Sequence, residues 1–122
     1  MQTISLIINK NKDVRLEVAK SILNILCAYP VTVQVSKWFR QQLMHDGYRI
    51  SFCEDEPLYN QTDLIIVLGG DGSIMKSAGR CRGHEIPVLG VNMGRVGYLA
   101  EIDPSDVDKI RGLFDGSYFI EE

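Results

Sequence analysis

Leu64-Ile65-Ile66-Val67-Leu68 is apolar at every position and runs directly into Gly69-Gly70-Asp71-Gly72-Ser73. Successive side chains of a strand point to opposite faces, so a strand with one wet face alternates apolar and polar residues. A run with no polar position needs cover on both faces, as a central strand of a parallel sheet has. The neighbouring segments fit such a sheet. Thr3 to Ile8 is a short β-branched apolar run that ends at the polar turn Asn9-Lys10-Asn11-Lys12. Asp13 can cap a helix, in which Val14, Val18, Ile22, Ile25 and Leu26 share one face. Pro30 ends it, and Val31, Val33 and Val35 alternate with Thr32 and Gln34 as a half-buried strand.

The same alternation continues. Ser36 to His45 predicts a shorter helix, with Phe39 and Leu43 one turn apart and Gly47 as its stop. Tyr48, Ile50 and Phe52 predict a strand, and Glu54-Asp55-Glu56-Pro57 reads as a solvated loop. A helix is expected from about Gly72 to Cys81, then a buried strand over Ile86 to Val91 and a second glycine-containing loop over Asn92 to Gly97. Asp103-Pro104-Ser105-Asp106 carries a cap, a proline and an acidic third position, and starts a last helix with Val107, Ile110, Leu113 and Phe114 on one face. Ser117 to Glu122 begins an extended segment. Repeated βα units predict an α/β fold, a Rossmann-like three-layer sandwich with a mainly parallel sheet, formed by residues 1–122 as one domain.

Composition narrows the function classes. With 45% hydrophobic and 24% charged residues, the 122-residue chain has enough apolar surface to form a core. Its formal net charge of −3 gives no broad cationic footprint, which argues against a nucleic-acid partner. No apolar run approaches the ~20 residues of a membrane span, and the start lacks the charged n-region of a signal peptide. Cys27, Cys53 and Cys81 have neither zinc-site nor paired-disulfide spacing and read as reduced thiols of a cytoplasmic protein.

The first candidate site is Gly69-Gly70-Asp71-Gly72-Ser73, where a buried strand gives way to a helix. Ligands of open α/β sheets bind beyond the carboxyl ends of the strands. Glycines let a ligand approach the backbone, and the N–H groups at a helix start favour phosphate. A carboxylate there would repel phosphate unless a metal or a hydroxyl lies between them, so Asp71 reads as a base or orienting group facing a sugar hydroxyl. The dinucleotide fingerprint fails, because Met75 stands where its third glycine belongs, and the P-loop pattern is absent. A tight βα turn whose aspartate merely caps the helix remains the bland alternative. The second loop, Pro87 through Leu99, adds Asn92, Gly94, Arg95, Gly97 and Tyr98 one βα unit later. Adjacent parallel strands would bring both loops to one sheet edge. His45 and His84 read as solvated, and Trp38 with Phe39 as core.

Together these stretches resemble the N-terminal domain of the ATP-dependent NAD kinases. Asp63 to Ser73 is similar to that family's first signature and Pro87 to Glu101 to its second, while Ile8 to Lys12 and Gly116-Ser117-Tyr118 also fit. The resemblance implies transfer of the ATP γ-phosphate to the 2′-hydroxyl of the adenosine ribose of NAD, with Mg²⁺ on the ATP phosphates. Glu101 and Asp103 could be read as a metal-binding carboxylate pair, but Asp103 is better explained as a helix cap, so no metal site on the protein is expected. Asp71 matches the catalytic carboxylate. Gly72 matches a backbone contact to NAD, Lys76 a basic NAD contact, and Tyr98 an aromatic lining the dinucleotide pocket. Gly69, Gly70, Ser73 and Asn92 complete the expected binding set. The family has a second, β-rich domain that grips NAD, and nothing in these 122 residues matches it. The expectation is therefore an N-terminal domain with little activity alone, from a parent that forms a homo-oligomer. Diacylglycerol-type lipid kinases and phosphofructokinases share the Gly-Gly-Asp-Gly loop. A lipid kinase domain and a non-catalytic nucleotide-sensing module are thus the alternatives.

Overall fold

The computed structural model describes residues 3–9, 11–13, 15–81, 85–93, 101–102 and 104–115, with the backbone alone at 71, 101–102 and 104–106. Six parallel strands form its sheet: β1 (Thr3–Ile8), β2 (Thr32–Ser36), β3 (Ile50–Cys53), β4 (Leu64–Gly69), β5 (Val88–Asn92) and β6 (Glu101–Ile102), in the order β3-β2-β1-β4-β5-β6. The helices are α1 (Glu17–Leu26), α2 (Arg40–Leu43), α3 (Asp55–Asn60), α4 (Asp71–Arg80) and α5 (Gly112–Asp115).

β4 is the central, doubly covered strand its composition demands, and every residue of it is buried. Its side chains divide between two cores by the two-residue period of a strand. Leu64, Ile66 and Leu68 join Ile4, Leu6 and the α1 residues Ala19, Ile22, Leu23 and Leu26 on one face. Ile65 and Val67 join Ile74 and Cys81 on the other. α4 lies so close to β5 that a Cβ on Gly90 would meet Ile74 atoms at 2.6 and 3.1 Å. Gly90 is therefore glycine for packing, a reason invisible in its own stretch of sequence.

Several local readings change. α1 starts at Glu17, not just after Asp13, because Leu16 occupies the N-cap with left-handed backbone (φ 57°). Val14 lies outside the described residues. The acidic stretch expected to be a loop forms α3 from Asp55, since Asp55 and Glu56 suit a helix N-terminus and Pro57 falls in a first turn that needs no N–H. α3 covers Gln34, whose Nε2 donates to Ser5 Oγ at 3.2 Å, Pro57 O at 3.3 Å and Gln61 O at 3.0 Å. The wet face expected of β2 is thus roofed, and its amide is satisfied by the roof.

The helix expected over 36–45 splits into a 3₁₀ turn, Lys37–Phe39, followed by α2. Ser36 Oγ accepts the Trp38 N–H at 3.3 Å. Phe39 turns into the core, but Trp38 is 76% exposed, so Trp38 is not the core residue its apolar neighbour suggested. The last expected helix is mostly 3₁₀, Pro104–Arg111, before the short α5. Phe114 there stacks on Tyr29 at 3.9 Å between ring centroids, and Ile110 is fully buried. β6, two residues long, had no sequence signal. Readings that placed features at Lys10, His84, Asp103 and 116–122 fall outside the described residues.

Candidate functional site at the carboxyl edge of the sheet

The chain proceeds outward from β1 to β2 and β3, then returns and proceeds the other way through β4, β5 and β6. The gap between β1 and β4 is therefore the topological switch point, where connections leave in opposite directions and open a crevice. A cleft of ≈ 660 Å³ lies there, a size that suits a small-molecule ligand. Its floor includes Ile7, Ile8, Val67 and Leu68, and polar groups enter from Asn9, Asp55, Ser73, Lys76 and Arg80. The Arg80 guanidinium sits over the Tyr59 ring, 3.9 Å from its centroid, and fixes one wall. Trp38 contributes from the other side.

The glycine turn opens next to this cleft. Gly69 is the last residue of β4 and is buried. A side chain there would strike Ser73 Cβ at 2.7 Å and Oγ at 2.9 Å, so glycine lets the first turn of α4 fold back over the strand end. Gly70 is the N-cap of α4, and Asp71 is its first residue. An N-cap side chain is what a merely structural aspartate would supply, and that position belongs to a glycine. Gly72 has nothing within 4 Å of where a Cβ would stand, and its backbone does not require glycine. Gly70 has only Lys12 Cε, at 3.9 Å. Neither is held as glycine by the fold's own packing.

β5 is the hydrogen-bonded neighbour of β4, in parallel, with Gly69 opposite Asn92. The Met93 N–H donates to Gly69 O at 2.8 Å. The two motif-bearing strand ends thus share one rim of the sheet. Asn92 is buried there, 7% exposed, so it belongs to the rim's interior and not to the cleft wall. Ser73 and Lys76 do line the cleft. Gly94 to Gly97, Arg95 and Tyr98 lie outside the described residues.

Asn9 escaped the sequence-based choice of site residues. It stands one residue past β1, lines the cleft and donates from Nδ2 to Ser73 Oγ at 3.0 Å, across 64 positions of sequence. Its sequence signals were its place at the carboxyl end of an apolar strand and within the Ile8 to Lys12 stretch that fits the family. Cys53, at the carboxyl end of β3, has its thiol pushed up by burial first, then by Asp55 and Glu54. It is protonated near neutral pH and no nucleophile. Among the described residues no group of three His, Cys, Asp or Glu side chains could hold a metal ion, and no helix is long and apolar enough to cross a membrane.

A doubly wound parallel sheet with a glycine turn at its switch-point edge defines an α/β domain whose cleft lies beyond the carboxyl ends of its strands. The chain belongs to the ATP-NAD kinase N-terminal domain family, whose model matches residues 4–118. It is 33% identical over 123 residues to the NAD kinase of Caldanaerobacter subterraneus subsp. tengcongensis and 35% identical over 123 residues to that of Heliobacterium modesticaldum. Each alignment covers 100% of this chain and 42% of the relative, so the chain spans less than half the length of these relatives. A Coxiella burnetii NAD kinase is 40% identical over 75 residues, covering 62% of this chain and 25% of the relative. The fold also matches a crystal structure of yeast NADH kinase complexed with NADH, with a TM-score of 0.72 at 24% identity, over 96% of this chain and 38% of that one.

Proposed function

We propose that this chain is the glycine-loop half of an NAD kinase, which transfers the γ-phosphate of ATP to the 2′-hydroxyl of the adenosine ribose of NAD. The observation that carries the reading is the pairing of β4 with β5, which sets both motif-bearing strand ends on one rim beside the switch-point cleft. Asp71 is the group that orients the ribose hydroxyl and takes its proton late in transfer. Phosphoryl transfer is largely positioning and charge neutralisation. The start of α4, with its N–H groups, and Lys76 one turn on supply positive potential for phosphate. The divalent ion arrives on the triphosphate of ATP. Tyr98 is assigned to the dinucleotide pocket by the family resemblance alone; Gly70, Gly72 and Ser73 form the binding edge, with the buried Gly69 and Asn92 supporting it from within. A second, β-rich domain completes the site in a longer, oligomeric cytoplasmic enzyme.

Supplied with Mg-ATP, the full-length protein is expected to phosphorylate NAD and to leave diacylglycerol unlabelled, as followed by NADP formation and by radiolabelled γ-phosphate. The 122-residue chain alone should turn over far more slowly than the ~1–100 per second of ordinary kinases. Label appearing in lipid and not in NADP would replace this reading with a lipid kinase. Nucleotide binding without transfer to either acceptor would replace it with a sensing module.

The glycines give a sharper contrast. Gly72 and Gly79 both lie in α4 with open space where a Cβ would stand. Alanine at either position should stabilise the fold by about 0.5–1 kcal/mol, through the lower entropy of the unfolded chain and better helix propensity. Only Gly72→Ala should also raise the KM for NAD, by several-fold, because its Cβ would enter the space the dinucleotide occupies. Equal KM values for Gly72→Ala and Gly79→Ala would remove Gly72 from the binding edge.

A further inference from the structure

Asn9 is held on every side. Its N–H donates to Leu68 O at 3.0 Å, and its carbonyl accepts the N–H groups of Lys12 and Asp13, each at 3.0 Å. Its side-chain Oδ1 accepts the Asn11 N–H at 3.0 Å, an Asx turn. That turn decides which end of the amide points where. A backbone N–H can only donate, so the amide oxygen must face Asn11. The Nδ2 group, which can only donate, is then left facing Ser73 Oγ at 3.0 Å.

The consequence falls on Ser73. Its oxygen is an acceptor in this hydrogen bond, so its own proton is available to be given elsewhere. A helical serine commonly donates to the carbonyl four residues earlier. Here no such bond forms: Ser21 Oγ donates to Glu17 O in α1, but Ser73 Oγ does not donate to Gly69 O, which accepts the Met93 N–H at 2.8 Å. Among the described residues no acceptor takes the Ser73 proton. Asn9 and Ser73 both line the switch-point cleft. An ionised phosphate oxygen is an acceptor only, so it matches a hydroxyl committed to donating.

We propose that Asn9 is a positioning residue that fixes the Ser73 hydroxyl as a one-way donor to a phosphate oxygen of the nucleotide in the cleft. This rests on the kinase reading above, in which an adenine nucleotide occupies that edge. Asn9 itself makes no contact with the nucleotide. It links the end of β1 to the first turn of α4, so that the donor is oriented before the ligand arrives and little ordering is left to occur on binding.

The test is a double-mutant cycle in the full-length protein, read by NADP kinetics and by calorimetric titration with ADP. Asn9→Ala and Ser73→Ala should each weaken ADP binding by about tenfold, the size of one hydrogen bond to a charged group. The double variant should be no weaker than Ser73→Ala alone, because Asn9 acts through that hydroxyl. Ser73→Thr should restore binding. Asn9→Asp should be worse than Asn9→Ala, since its carboxylate would capture the serine proton. In a Ser73→Ala background that extra loss should shrink to whatever the added negative charge contributes. Additive losses in the double variant, or wild-type ADP affinity in Ser73→Ala, would overturn the proposal. Should Asn9→Ala fail to fold, Ser73→Ala and Ser73→Thr still decide whether the hydroxyl donates to the ligand. A wild-type protein that binds ADP but makes no NADP would defeat the kinase reading while leaving the pair testable by affinity. One that binds no ADP would defeat both.

Discussion

Asp71→Asn in the full-length protein is expected to lower NADP formation by about 10²–10⁴-fold, the usual contribution of a positioned acid–base group, while leaving the dissociation constant for NAD within a few-fold of wild type. Asparagine has nearly the same shape as aspartate and can still orient a hydroxyl, but it cannot accept the proton. The backbone supports this division of labour. Asp71 is the first residue of α4, immediately after the extended Gly70 at the N-cap and two residues past Gly69, the buried end of β4. Its position is therefore anchored by the strand and by a ten-residue helix, and the substitution should alter chemistry more than architecture. The measurements are kcat, the NAD dissociation constant and the thermal midpoint of both proteins. A variant with near-normal kcat would show that another group takes the proton. A loss of NAD affinity with kcat unchanged would show that the carboxylate holds substrate and transition state equally and does not act in the chemical step.

The parts of this fold that were legible in the sequence are those decided by burial along a single element. The all-apolar Leu64–Leu68 predicts a doubly covered strand, and the split of its side chains between two cores is why no polar residue is tolerated there. The spacing of Ile22, Ile25 and Leu26 predicts the buried face of α1, and all three are buried. Because β4 and β5 are neighbours, the placement of the two motif-bearing strand ends on one edge followed from strand alternation alone. What escaped were features set by residues distant in sequence. α3 forms where composition suggested a loop: Asp55, Glu56 and Pro57 suit a helix start, and Gln34 of β2, distant in sequence, ties the helix to the sheet through the carbonyls of Pro57 and Gln61. Trp38 is exposed although its neighbour Phe39 is core, because a 3₁₀ turn replaces the expected helix. Gly90 looks like one more strand glycine until Ile74 of α4 is placed against it. Asn9 joins the candidate site through a partner 64 residues away. Which side chain Tyr98 or Arg95 meets lies outside the described residues, so their assigned roles rest on the family resemblance.

Asp13→Ala should lower stability by about 2–4 kcal/mol, a large loss for a surface-corner residue. The reason is a helix start whose cap is supplied from a distance. Leu16 occupies the N-cap of α1 in the left-handed region at φ 57° and makes no side-chain cap. For a non-glycine residue that conformation costs about 1–2 kcal/mol, here offset by burial of the Leu16 side chain, which is 5% exposed. The vacant capping role falls to Asp13, itself only 5% exposed. Its Oδ2 accepts the Ala19 N–H at 2.9 Å and its Oδ1 the Val18 N–H at 3.3 Å. Those two donors have no partner within their own helix, and truncation would leave them unsatisfied in a corner too tight for easy hydration. Asp13→Asn retains one acceptor but turns an NH₂ toward the second N–H, so it should recover at most half of the loss. For a chain of this length the alanine variant should melt about 6–20 °C lower, with the asparagine variant between it and wild type. The same corner carries Asn9, whose carbonyl accepts the Asp13 N–H at 3.0 Å. Loosening α1 should therefore weaken ADP binding modestly as well, through the geometry of Asn9 and Ser73. A melting shift under 3 °C for Asp13→Ala would mean that water replaces the carboxylate at the helix start, and that Leu16, not Asp13, fixes where α1 begins.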